Sequence, residues 1–213
     1  MQSGNQVSHY PRHPTVTPCV APLDIETLAK TVDAVIATIA LVARNVVTKE
    51  VLGEFYVRVN LEQPGRVTDE ETLSFWHGQR ESNPEAWEEV FGYSDERIQL
   101  VDALIGLKSF IEDIERSTGM CVEVMGNGPE FDNTILTHAS QQLGLGDLWH
   151  FRRNESMRTV VWMGRLLLGV DPKYQVPFIG VPHHALHDAR HEGCTITEIV
   201  QAFIHALPTP GHE

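Results

Sequence analysis

Val20-Ala21-Pro22-Leu23-Asp24-Ile25-Glu26-Thr27 decides how this chain is read. Val20, Ala21 and Leu23 lead in without polar alternation, so the segment reads as a central strand running into an acidic end. Asp24 and Glu26 are two residues apart, and on a strand both side chains point to one face. Two acids side by side repel unless a cation lies between them, and at the end of a central strand they are costly to bury unpaired. The plainer alternative, the solvent face of an edge strand, fits the apolar lead-in poorly.

Working outward, Val35, Ala37, Ile39 and Leu41 alternate with Ile36, Thr38, Ala40 and Val42, which predicts a central strand apolar on both faces. Glu54 to Val59 continues as a third, more amphipathic strand. The short spacers between the three favour an antiparallel meander. The stretch 64–93 mixes charge with Phe75, Trp76, Trp87 and Phe91 and reads as an insertion of short helices. Arg97 to Arg116 has a helical period, and Cys121 to Met125 reads as a short buried strand. A Gly-Asn-Gly-Pro turn at 126–129 then opens a helix carrying Phe131, Ile135 and Leu136. Arg158 to Leu168 and His184 to Leu207 read as helices, the last with a kink expected at Gly193. The sum is a mixed α/β layer arrangement.

The chain has 213 residues, 42% of them hydrophobic, enough for one sizeable core. Residues 1–17 read as a flexible leader, 18–208 as one domain and 209–213 as a tail. Three scattered cysteines make a disulfide framework unexpected. With no signal-like start and no long apolar run, the reading is a cytoplasmic protein without membrane contact. The formal net charge of −13 argues against a broad phosphate-gripping surface, but not against a nucleic-acid substrate received through bound cations.

Two further acids extend the pattern. Asp132 follows the glycine turn, where an acid at a helix N-terminus is ordinary; Gly126 and Gly128, flanking Asn127, let the backbone approach a ligand closely. Asp188 falls early in the last helix, five residues after His183. Four of the eleven histidines lie between His183 and His191, which raises zinc as a rival. No cysteine pair or His-Glu-x-x-His spacing accompanies them. Four carboxylates and a histidine are hard oxygen donors plus a proton acceptor, the set that metal-assisted phosphodiester hydrolysis requires.

These motifs resemble the DEDDh 3′-5′ exonucleases, the DnaQ-like branch of the ribonuclease H-like fold. Asp24-Ile25-Glu26-Thr27 matches the first family motif, Phe131-Asp132-Asn133 the second, and His183-His184-Ala185-Leu186-His187-Asp188-Ala189 the third. The chain is most similar to the 3′-exoribonuclease and phage exonuclease VIII-like subgroup, through Gly126-Asn127-Gly128, Trp76-His77-Gly78-Gln79 and Arg158-Thr159. The subgroup's Trp-Trp is Phe75-Trp76 in this chain. The resemblance implies a ribonuclease H-like mixed sheet, an antiparallel three-strand meander plus parallel strands, flanked by helices. It implies that Asp24, Glu26, Asp132 and Asp188 hold two Mg²⁺ or Mn²⁺ ions, with His183 as general base. Thr27, Asn127, Trp76, Gln79 and Arg158 are the candidate substrate contacts, Trp76 by stacking on a base or, equally, as the insertion's own core. Arg152 and Arg153 are further candidates for phosphate. The expected activity is release of nucleoside 5′-monophosphates from the 3′ ends of single-stranded or overhanging DNA or RNA, by a chain that can pair as a homodimer. The rival from another class is a nucleic-acid or nucleotide-binding module with a degenerate nuclease site.

Overall fold

A computed structural model describes residues 16–207; the expected 209–213 tail and all of the 1–17 leader except Val16 and Thr17 lie outside the described residues. The meander consists of β1 (Cys19–Thr27), β2 (Ile36–Asn45) and β3 (Val51–Arg58). Two short strands, β4 (Glu123–Gly126) and β5 (Asn154–Ser156), extend it in parallel, giving the order β3-β2-β1-β4-β5. This is the expected mixed sheet, with β1 at its centre.

The period-2 alternation of β1 divides the molecule. Cys19, Ala21, Leu23 and Ile25 join Ile39, Leu41 and Ala43 of β2 in the main core, beneath α3 (Leu100–Thr118) and α4 (Asp132–Gln142). The opposite face carries Val20 of β1, Ala40 and Val42 of β2 and Met125 of β4. It is covered by α5 (Met157–Met163) and α7 (Ala185–Ala206). Asp24 and Glu26 therefore fall, by parity, on the face that α7 covers.

The insertion folds as α1 (Glu70–Ser82) and α2 (Pro84–Phe91). Asp69 caps α1 by accepting the Thr72 N–H. Between α5 and α7 lie a π-helical turn at Gly164–Leu168 and the short α6 (Pro172–Gln175). No kink occurs at Gly193: α7 runs unbroken, and a Cβ at 193 would come within 2.7 Å of Arg44 Cδ. The glycine serves close helix-to-sheet approach, not bending.

Of the two readings of Trp76, its burial favours the insertion's own core. Its ring is 1% exposed and packs with Leu28, Val35, Ala37, Ala86 and Val90. Its indole N–H donates to the Thr27 carbonyl at 3.0 Å. A ring so enclosed has no free face for a base; it docks the insertion on the strand end. Trp76→Ala should then cost about 3–5 kcal/mol of stability, read from urea unfolding. A near-normal midpoint with a raised KM would return the ring to the substrate.

Candidate active site

Asp24 and Glu26 project from the last turn of the β1 pleat, just before a β-bulge at Glu26/Thr27. Asp188 reaches them from the first turn of α7, and single carboxylate oxygens of Asp24, Glu26 and Asp188 all lie within 4.8 Å of one another. Asp132, 5% exposed, opens α4 and accepts the Ile25 N–H at 3.3 Å, which fixes it against the same strand end. Gly126 makes this possible: a Cβ there would meet Asn133 Oδ1 at 2.4 Å and Asp132 Oδ2 at 3.4 Å. Gly126 thus makes room for side chains of the following helix, and Gly128 for Glu130 and Arg158.

Burial shifts every acid of the set upward, and at Asp24 and Glu26 repulsion from the neighbouring acids adds to it. Burial, then Glu26, Asp132, Glu192 and Asp188, hold the Asp24 carboxyl well above its ordinary range. Glu26 is raised by burial, Asp188 and Asp132. Burial pushes Asp132 up to about 7, against the N–H groups of Asp132 and Ile25. Burial pushes Asp188 up to about 6, against the N–H groups of His183 and His184. A set of hard oxygen donors that resists carrying its own charge fits a divalent cation.

Glu192 is the acid that motif reading missed. It is 6% exposed, and its charge is among those raising Asp24. The signal was its spacing, four residues after Asp188 on one helix face.

The adjacent histidines differ sharply. His183 has φ +62°, and its ring meets Phe75 edge-on at 5.2 Å. Burial lowers its pKa below the ordinary value, so the neutral imidazole is favoured. His184 is the N-cap of α7, and its ring stacks on His187 at 4.0 Å and on Tyr56 at 5.0 Å.

The remaining candidates are spread around this centre. Thr27 is buried, and its hydroxyl donates to the Ala29 carbonyl at 2.8 Å. The Asn127 carbonyl accepts the Arg158 N–H at 3.2 Å, tying the glycine turn to α5. The Arg158 guanidinium is exposed, pairs with Glu130 at 2.9 Å and lies near enough to lower Asp132. Gln79 is half-buried on α1. Arg153 pairs with Glu123 at the opposite end of β4 from the acids, which removes it from phosphate contact at this site.

The strand order, with acids at the end of the central strand, is that of the expected ribonuclease H-like sheet. The chain belongs to the family of the 3′-5′ exoribonuclease Rv2179c-like domain, whose model matches residues 20–200. It is thus a 3′-5′ exonuclease domain, a hydrolase of phosphodiester bonds. The match carries the exoribonuclease side of the expected subgroup, not the phage-like side.

Solved structures agree on the fold. The nuclease domain of 3′hExo, a DEDDh family member bound to rAMP, superposes with a TM-score of 0.61 at 14% identity, covering 87% of this chain and 92% of that one. Cell-death related nuclease 4 gives 0.62 at 14% identity, over 87% and 64%. E. coli exonuclease I in complex with a dT13 oligonucleotide gives 0.51 at 12% identity, over 89% and 41%. No curated protein sequence matches the chain. No helix among the described residues is long and apolar enough to cross a membrane.

Proposed function

We propose that Asp24, Glu26, Asp132 and Asp188 hold two Mg²⁺ or Mn²⁺ ions and that His183 is the general base of a 3′-5′ exonuclease. The observation that carries this reading is the convergence of three carboxylates within 4.8 Å at the end of β1. Bound there, the cations supply Lewis acidity toward the scissile phosphate and the leaving 3′-oxygen. His183, kept neutral by its partly buried position, accepts the proton of the attacking water at a ring nitrogen. Arg158, exposed beside the Asp132 turn, meets a backbone phosphate. Thr27, Asn127 and Gln79 border the terminal nucleotide.

The substrate is a single-stranded or overhanging 3′ end, released as nucleoside 5′-monophosphates. The family description favours RNA, and the oligonucleotide complex of E. coli exonuclease I keeps DNA as the second candidate. Free thiols at Cys19, Cys121 and Cys194 suit a reducing compartment, the cytoplasm. A homodimer is the proposed assembly, supported by exposed Trp162, Leu166 and Leu167; a monomer by light scattering at micromolar concentration would remove it.

The deciding experiment digests 3′- and 5′-labelled RNA and DNA and sizes the products. EDTA should abolish hydrolysis, and Mg²⁺ or Mn²⁺ should restore it. Restoration by Zn²⁺ alone, or cleavage of a circular single strand, would overturn the reading. A chain that binds strands but never shortens them would be the binding module instead.

A further inference from the structure

The loop that presents His183 holds a conformation that its own sequence does not favour. At φ +62° a residue with a side chain persists only where its surroundings over-determine it, although histidine tolerates the region better than most. Some of the restraint is local to the entry of α7. His187 Nδ1 accepts the Val181 N–H at 3.0 Å, and the His184 carbonyl accepts the N–H groups of His187 and Asp188 at 2.8 and 3.0 Å.

The rest comes from the insertion, about a hundred residues earlier. Asn83 Nδ2 donates to the Pro182 carbonyl at 2.7 Å. The Phe75 ring lies edge-on to the His183 ring, and Val181 packs on the cluster that contains Trp76, Ala86 and Val90. Asn83 joins α1 to α2. Its backbone N–H caps α1 on Gln79, while its side chain makes no cap bond, leaving the amide for Pro182.

We propose that Asn83 is a positioning residue for the His183 base, acting from the helical insertion through the Pro182 carbonyl, with Phe75 as its second support. The inference rests on the assignment of His183 given above. Without the amide, Pro182 is released to water and His183 relaxes toward negative φ, which reorients its ring and takes it off Phe75. The insertion then belongs to the catalytic apparatus without touching substrate.

A double-mutant cycle tests this, with kcat and KM measured at saturating Mn²⁺ well below every variant's melting temperature. Asn83→Ala should lower kcat by about tenfold, the scale of a slightly displaced catalytic group, with KM unchanged. Asn83→Asp, of the same shape but without the donor, should be at least as impaired. In a His183→Ala background, Asn83→Ala should cost nothing further. Wild-type kcat in both Asn83 variants alongside a crippled His183→Ala would overturn the positioning role and leave the base standing. An additive loss in the double variant would also overturn it, since Asn83 would then act elsewhere. Near-normal turnover of His183→Ala would instead remove the base, and this inference with it.

Discussion

Asp24→Asn should cut turnover by about 10³-fold or more and, in the same protein, raise the melting temperature of the metal-free form. The first effect follows from losing a central ligand to the cations. The second follows from the burial of Asp24, and then from its crowding with Glu26, Asp132, Glu192 and Asp188. Asparagine keeps the shape, so no cavity opens while one buried like charge disappears. Asp132→Asn and Asp188→Asn should behave alike in activity. Near-normal turnover in any of the three would remove that residue from the site.

Burial of the acids also sets a pH dependence. Asp132 at about 7 and Asp188 at about 6 are raised above the unfolded carboxyl range near 4. The folded state therefore binds more protons than the unfolded one between roughly pH 4 and 7. Stability is fully present below that window and falls as pH rises through it. In EDTA the melting temperature should drop from pH 5 to pH 8, and excess Mn²⁺ should flatten the drop. A metal-free protein whose stability climbs over that range would contradict the buried, repelling arrangement.

The second large effect is at His183. His183→Ala should lower kcat by about 10²–10⁴-fold, the usual worth of a placed general base, with calorimetric Mn²⁺ binding retained. His184→Ala should cost only several-fold, through the loosened stack on Tyr56 and His187. The comparison is made across pH 6 to 9. A greater loss at His184 than at His183 would reverse the roles.

What the sequence disclosed was local and periodic. The Asp24-Ile25-Glu26 alternation announced its shared face, and the spacing of Ile196, Ile199 and Val200 announced α7. What it concealed was tertiary. Trp76 sits among Glu70, Glu71, His77, Arg80 and Glu81, a polar setting that hides its docking on Leu28, Val35 and Ala37. Gly193 suggested a bend because the approach of Arg44 cannot be seen along the chain. β5 has only three residues and acquires its identity by pairing with β4. Asn83 gave no sign at all, since its partner lies 99 positions away.

The odd-even division of β1 reaches beyond catalysis into how such a gene can change. Deleting or inserting one codon ahead of Asp24 would turn both acids toward Leu104, Leu107 and Ile135, and Leu23 and Ile25 toward α7. Core and chemistry would be lost in one event, with no half-working intermediate for selection to keep. Length changes in this strand should therefore survive only in steps of two, whereas the loops on either side are free to grow by one.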